Sequence, residues 1–379
     1  MEKKYTIMVT VAAGLESVVG QELKNMGYDV RVDNYRVFFE GTQADILRAN
    51  LWLRTADRVK IVIGSFEAKT FEELFQGIKA LPVEDYLNYD SEFPVAGRSR
   101  NSALHSVPDV QSITKKAIVQ KLQEAYHVRT RLPENGFFAQ LEVMISKDQV
   151  MLTLDTTGPS LFKRGYRVEK GPAPLKENFA AALILLTNWN KDMPFVDPTC
   201  GSGTLPIEAA LIGRNLAPGL TRTFDIEKMD WFDHELSDTI RDEAEDKADY
   251  DSELNIKGYD VDARMVKIAQ ENAKHAGLSQ DITFGHMDLA DWYPEEEAGV
   301  LVSNPPYGER MGELEAAEEL YKTMGILYKP LKHWSKYILT SDLNFEKAYG
   351  QKATKKRKLY NGQLRVDYFQ YWAKPNFKK

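Results

Sequence analysis

A single cysteine, Cys200, occurs in 379 residues. One thiol excludes an internal disulfide and a cysteine-built metal site, and a reducing cytoplasm is the compartment expected. The histidines (His105, His127, His234, His275, His286, His333) are scattered without the spacing of a zinc site, so no metal is expected. No stretch approaches about 18 uncharged apolar residues, so no membrane partner is expected. A signal peptide is not expected either, because Glu16 interrupts the apolar run YTIMVTVAAGLESVVG. There is no internal repeat and no low-complexity tract.

What the chain does have is separated charge. The net charge of −7 argues mildly against a nucleic-acid binder, but its distribution matters more. Residues 201–300 hold 9 Lys and Arg against 23 Asp and Glu. Residues 351–379 hold 9 against 1, and residues 94–131 hold 7 against 2. Two basic regions thus stand far apart in an acidic chain. Solvated surface is the alternative account of either one alone.

The length suits two or three domains. Over 1–66 the apolar spacing gives strand, helix, two strands, helix, strand, the order of a ferredoxin-like unit. Residues 67–157 form a second α/β unit. It holds an amphipathic helix over 71–80, a strand and loop rich in Arg, Ser, Asn and His over 94–106, a helix over 112–126 and two strands over 137–146 and 149–156. Residues 158–174, GPSLFKRGYRVEKGPAP, read as a linker. From 175 to 379 helices and strands alternate, which predicts a mostly parallel sheet with helices on both faces.

Two stretches in that last region carry chemistry. Asp197-Pro198-Thr199-Cys200-Gly201-Ser202-Gly203-Thr204 follows a strand and precedes a helix. Its glycines let the backbone turn tightly and approach a ligand, and the helix N-terminus behind them can face a carboxylate. No Gly-Lys-Ser/Thr follows, so this is not a Walker loop. The second stretch is LVSNPPYGER over 301–310. An apolar strand runs into Asn304-Pro305-Pro306-Tyr307, and two prolines stop it at once. The Asn304 amide oxygen and the Pro305 carbonyl make a two-acceptor cradle for an exocyclic amine, which has two donors to give. Tyr307 supplies a flat face for the ring that carries the amine. A proline-stiffened turn with ordinary packing is the structural alternative.

Asn-Pro-Pro-Tyr resembles the fourth motif of class I S-adenosylmethionine-dependent methyltransferases that modify amino nitrogens. The glycine loop is similar to their first motif, which wraps the methionine part of the cofactor. The resemblance implies a Rossmann-like catalytic domain in which Asp197, Thr199, Cys200, Gly201, Ser202, Gly203 and Thr204 line S-adenosylmethionine. Asp260 ends the next strand, where a carboxylate can take both ribose hydroxyls; Asp288 follows the third strand, where it can accept from the adenine amine. Val261, Leu289 and Asn304 lie beside them. Asp262 is a weaker candidate that could equally cap the helix after it. Cys200 reads as a small packed residue, not a nucleophile.

The second unit resembles a THUMP domain, an RNA-binding module joined to RNA-modifying enzymes. The linker resembles the Lys/Arg-Arg-Gly-Tyr-Arg stretch of the same enzymes, with Phe162 where histidine is often found. Taken whole, the chain resembles bacterial THUMP-domain methyltransferases that make N2-methylguanosine in 23S ribosomal RNA. The implied roles are Asn304, Pro305, Pro306 and Tyr307 in catalysis, and Arg98, Arg100, Lys115, Lys116, Lys163, Arg164 and Arg167 on RNA. A transfer-RNA guanine is the nearest alternative substrate. A DNA adenine methyltransferase, a glutamine methyltransferase and a non-catalytic RNA-binding assembly protein are the other readings.

Overall fold

A computed structural model describes residues 3–168, 175–307 and 311–374, the side chains of 311–313 excepted. Gly308, Glu309 and Arg310 of the 301–310 stretch, and the linker's last six residues, lie outside the described residues.

The chain separates into two compact units, neither continuous in sequence. The first comprises Met1–Val11, Glu22–Leu161 and Thr223–Glu243, the second Ala12–Gln21, Phe162–Arg222 and Ala244–Lys379.

The first unit is built on one seven-stranded sheet. Its strands are β1 (Tyr5–Thr10), β2 (Arg31–Asp33), β3 (Arg36–Gly41), β4 (Arg58–Glu67), β5 (Val95–Arg100), β6 (Leu141–Ser146) and β7 (Gln149–Asp155). The helices of this stretch are α1 (Glu16–Asn25), α2 (Gln43–Trp52), α3 (Phe71–Ala80) and α4 (Val107–Ala125). The strand order is β2-β3-β1-β4-β7-β6-β5. The first four strands have ferredoxin-like order, as the element pattern predicts. The antiparallel pairing of β4 with β7 makes one sheet of two units that the sequence presents as separate. Helix α3 begins where expected because Thr70 and Glu73 cap it reciprocally: each side chain takes the other's backbone N–H. Helix α4 starts five residues earlier than its periodicity suggests, with a proline in its first turn, where the missing N–H costs nothing.

The second unit holds the other sheet. Its strands are β8 (Phe195–Asp197), β9 (Ile256–Asp260), β10 (Ile282–His286), β11 (Gly299–Ser303), β12 (Trp334–Thr340), β13 (Lys355–Asn361) and β14 (Leu364–Tyr371). The helices of this part of the chain are α5 (Glu177–Leu185), α6 (Thr204–Gly213), α7 (Glu235–Glu245), α8 (Ala263–His275), α9 (Met311–Tyr328) and α10 (Phe345–Tyr349), of which α7 falls mostly in the first unit. The order is β10-β9-β8-β11-β12-β14-β13, and every pairing is parallel except those made by β14. This is the Rossmann-like, mostly parallel sheet expected. The chain moves outward from β8 in one direction through β9 and β10, then returns to its other side with β11. That reversal opens a crevice at the carboxyl ends of β8 and β11.

Packing on one face is strongly aromatic. Leu301, Tyr321, Met324, Tyr328, Trp334 and Phe369 belong to one buried cluster, in which Trp292 meets Trp334 edge-on at 6.2 Å. A charge interrupts this apolar sheet: Lys336, in the middle of β12, is 6% exposed and donates to the Leu331 carbonyl at 2.7 Å. Burial pushes its ammonium down to about 8. Because the folded value lies below the ordinary one, the native state binds fewer protons than the unfolded chain between the two. Stability therefore rises as pH rises through that window. Lys336→Met should be more stable than the parent at pH 7, by up to about 3 kcal/mol. Its advantage should fade as pH approaches 10.5, the ordinary value for lysine. Urea unfolding at a series of pH values measures this, and an advantage independent of pH would refute the assignment.

Candidate active site

Strand β8 is only three residues long, and all three are buried. Parallel neighbours hold it on each side: β9 through Phe195–Ile256 to Asp197–Gly258, and β11 through Val300–Phe195 and Leu301–Val196. The loop leaving β8 is therefore fixed at the crevice. Thr199 N donates back to Asp197 Oδ1 at 3.1 Å, and Cys200 N donates to the Tyr259 carbonyl at 2.8 Å. Gly201 and Gly203 have φ of +53° and +81°. A Cβ on Gly203 would lie 2.9 Å from Ala269 and from the Phe284 ring, so this position needs glycine for packing as well as for its backbone. A Cβ on Gly201 would meet nothing within 4 Å. The loop thus turns one glycine against α8 and β10 and leaves the other facing open space, where a ligand can approach the backbone.

Asp260 bridges this loop to its own strand end. Its Oδ2 accepts from Gly201 N at 2.8 Å and its Oδ1 from Asp262 N at 2.9 Å. Each oxygen keeps acceptor capacity beyond these bonds, and the residue is half-buried. Val261 beside it is 65% exposed. Asp262 accepts from Arg264 N at 2.8 Å and caps α8, the structural one of its two candidate roles. Asp288 is exposed and caps the short turn Leu289–Asp291 through Ala290 N at 2.9 Å, while Leu289 is buried behind it.

Asp197 and Cys200 have a different environment. Asp197 is 1% exposed, and burial, with Asp260 nearby adding to it, pushes its carboxyl up to about 8. Burial likewise pushes the Cys200 thiol well up, away from the thiolate a nucleophile needs. The cysteine is a packed residue, as its place in the loop suggests.

On the other side of β8, the Thr199 and Ser303 hydroxyls lie 2.6 Å apart and tie the glycine loop to the end of β11. Asn304 comes directly after. The Tyr307 hydroxyl donates to Asn304 Oδ1 at 2.6 Å, and burial holds that phenol well above its usual range. Sequence reasoning offers Tyr307 only as a flat face, so this bond is a finding. Tyr321 of α9 donates to the Pro306 carbonyl at 3.2 Å and meets Thr340 Oγ1 at 3.0 Å. The Pro305 carbonyl has no hydrogen-bond partner among the described residues. Ser303, Tyr321 and Asn272, whose Nδ2 donates to the Ser202 carbonyl at 3.0 Å, are site residues that sequence reasoning missed. Ser303 adjoins the motif, and Asn272 stands out as an amide on the buried stripe Val266, Ala269, Asn272 and Ala273.

The basic candidates divide by burial: Arg164 and Arg167 are corrected, and Lys115 is half-buried. The Arg164 side chain is 3% exposed and lies 3.4 Å from Glu208, which also accepts from the Tyr166 hydroxyl at 3.1 Å. Arg167 lies 3.1 Å from Glu177 and donates to Thr204 Oγ1 at 3.0 Å and to the Leu175 carbonyl at 2.8 Å. Neither guanidinium faces solvent; Arg164 staples the linker to α6, and Arg167 to the start of α5 and to α6. Lys115 donates to the Phe93 carbonyl at 2.9 Å and to Glu134 at 2.6 Å, with its ammonium 3.5 Å from the Phe93 ring centre. Lys116, Lys163, Arg98 and Arg100 are exposed, although Arg98 also reaches Glu142 at 2.6 Å. Arg164→Ala should leave the buried Glu208 short of a partner, and breaking such a buried pair costs about 3–5 kcal/mol. Urea unfolding should show that loss, with partial recovery in Arg164→Ala/Glu208→Leu. A fully stable Arg164→Ala protein would return the residue to the surface set.

Among the described residues no group of three His, Cys, Asp or Glu side chains could hold a metal ion, and no helix is long and apolar enough to cross a membrane.

Comparison with known proteins fits this geometry. Residues 164–370 match the family described as RMKL-like, methyltransferase domain. Residues 6–60 match the RlmL ferredoxin-like domain and 68–155 the THUMP domain. YpsC of Bacillus subtilis, whose name marks it as a candidate RNA methyltransferase, is 52% identical over 100% of this chain and 99% of its own. The ribosomal RNA large subunit methyltransferase K/L of Syntrophotalea carbinolica is 34% identical over 96% of this chain. The chain spans 53% of that relative's length. The crystal structure of SMU.472, described as a candidate methyltransferase complexed with SAH, superposes with a TM-score of 0.95 at 53% identity, covering 99% of this chain and 100% of that one.

Proposed function

This chain belongs to the RMKL-like methyltransferases, with ferredoxin-like and THUMP domains ahead of the catalytic one, and on that premise we propose that it methylates the exocyclic N2 of a guanosine in large-subunit ribosomal RNA. S-adenosylmethionine is the methyl donor, and its sulfonium supplies an electrophilic carbon. The residues fit it. Gly201 leaves open space above the loop, and Asp260 offers acceptor capacity beyond its two backbone bonds. Asp260 would hold the ribose hydroxyls, Asp288 the adenine amine, and the 199–204 loop the amino-acid part.

The observation that carries the reading is the Asn304 amide at the end of β11, beside a glycine loop joined to that strand by Thr199 and Ser303. A guanine amine is a poor nucleophile because its lone pair is delocalised into the ring. Asn304 Oδ1 and the Pro305 carbonyl accept its two N–H bonds, orient the nitrogen and favour its pyramidal form. The Tyr307 hydroxyl occupies one lone pair of Oδ1 and leaves the other for the amine. The Tyr307 ring stacks on the flipped base, worth about 1–3 kcal/mol. Flipping costs a few kcal/mol in a duplex and less in a loop. The displaced proton leaves to solvent, since the Asn-Pro-Pro-Tyr turn carries no basic side chain. RNA phosphate falls to Arg98, Arg100, Lys116 and Lys163, all exposed. The name of the Syntrophotalea carbinolica relative, of which the chain spans 53%, favours a large-subunit rRNA substrate.

Mass mapping of ribosomal and transfer RNA from a deletion strain tests the reading. The expected result is loss of one N2-methylguanosine from large-subunit RNA; loss from transfer RNA alone would move the substrate there. Asn304→Ala should cut single-turnover methyl transfer by about 10²–10³ with cofactor binding intact. Tyr307→Phe keeps the ring and should lose less. Equal losses in the two variants would contradict the separate roles given to amide and ring. Asp260→Ala should weaken S-adenosylmethionine binding by calorimetry. An unchanged affinity removes Asp260 from the site.

A further inference from the structure

The second basic region has no part in the methyl-transfer mechanism, and it has a definite place in the fold. Residues 355–361, KKRKLYN, form β13, the last strand of the second sheet. Lys355 and Lys358 are exposed and make no ion pair among the described residues; Lys352, also exposed, lies in the field of Glu346. Lys356 pairs with Glu346 at 3.0 Å and Arg365 with Asp367 at 3.1 Å, with side chains 48% exposed in each case.

The register shows where this hairpin goes. Strand β12 makes its last pair with β14 at Thr340–Asp367. The β13–β14 ladder continues past it through Leu359–Val366, Tyr360–Arg365 and Asn361–Leu364. Three further pairs carry the hairpin about 10 Å beyond the carboxyl end of β12. Gly362, with φ +65°, opens the two-residue turn at its tip. That end of the sheet is the catalytic end. The Tyr321 hydroxyl bonds to the Pro306 carbonyl and to Thr340, and Thr340 is the cross-strand partner of Asp367. Directly paired residues share a face, so Lys356, Lys358, Tyr360, Arg365 and Asp367 lie on the face that carries Thr340. Along β13 the first three recur at about 7 Å spacing. The Lys358 ammonium stands 5.2 Å from the Tyr360 ring centre, and Leu364 at the tip is 41% exposed.

Charge on an edge strand commonly guards against pairing with another chain. That account covers the lysines, but an exposed leucine and a half-exposed tyrosine at the tip are poor guards. The residues around Gly14 also pack against β13: Arg357 donates to the Gly14 carbonyl and to Ser17 Oγ, both at 2.9 Å.

We propose that the β13–β14 hairpin is an arm that grips the RNA strand flanking the target nucleotide. Lys356, Lys358 and Arg365 take its phosphates, and Tyr360 with Leu364 takes the face of a neighbouring base. A polyanion complements this surface in charge, and the hairpin rises from the end of the sheet where the target base must enter. The inference rests on the RNA reading of the catalytic site and adds a binding element within the catalytic unit.

The test is RNA binding measured apart from methyl transfer, with protein-free 23S rRNA transcript as the probe. Lys358→Gln/Arg365→Gln should weaken binding about tenfold and reduce the slope of log K against log salt by about 1.4, the counterions of two single-strand phosphates. Tyr360→Ala should weaken binding with the slope unchanged, because stacking releases no counterions. Unchanged S-adenosylmethionine affinity checks that the variants are folded. Wild-type RNA affinity and slope in all of them would overturn the arm, as would a wild-type protein without salt-dependent RNA affinity. So would a loss of self-association with RNA binding intact, which would make the hairpin a contact between copies of this chain. Binding that agrees with the prediction without any methyl transfer would sustain the arm and sink the catalytic reading alone.

Discussion

The burial of β8 at the centre of the second sheet is the constraint from which the candidate site is built. Phe195, Val196 and Asp197 are buried, in a strand with a parallel neighbour on each side. The backbone after Asp197 can therefore leave in only one direction. On one flank it meets Asp260, whose carboxylate receives Gly201 N. On the other it meets Ser303, whose hydroxyl receives or gives a proton at Thr199. One short strand thus sets the distance between the loop suited to a cofactor and the amide suited to an amine. Both flanks are strand ends of a parallel sheet, where backbone groups run out of partners and become available to ligands.

Buried charge fixes the approach to that strand. Arg164, Arg167, Glu177 and Glu208 are all buried, and Tyr166 adds its hydroxyl. Isolated, any one of these charges would be costly; paired, they constrain geometry even where they add little stability. Arg167 reaches the first residue of α6, so the linker is anchored to the helix that starts at the glycine loop. A stretch that looks basic in sequence is in part an internal fastening.

That case marks where sequence reasoning stops. The alternation of elements, the carboxylates at strand ends and the Asn-Pro-Pro-Tyr turn are local patterns, and each reads directly from residue type and spacing. Charge alone does not say which way a side chain points. Lys163 and Arg164 are neighbours, yet one is exposed and the other is paired with Glu208 forty-four residues on. The pairing of β4 with β7 is hidden for a related reason. Both strands alternate well, and alternation identifies a strand without naming its partner. The Tyr307–Asn304 bond is equally hidden, because the ring's apolar use is sufficient to explain a tyrosine there.

The two aspartates beside the loop show how one chemical group can serve two ends. Asp197 is buried at the end of β8, and burial with the nearby Asp260 carboxylate pushes its carboxyl up to about 8. Loss of solvent is the larger cause, and the neighbouring carboxylate adds to it. Asp197 still accepts from Thr199 N and so keeps the loop's first turn closed. Asp260 stays half-exposed, with one backbone N–H on each oxygen and lone pairs to spare. The division is one of depth: the inner carboxyl shapes the loop, and the outer one is placed to receive what the loop binds.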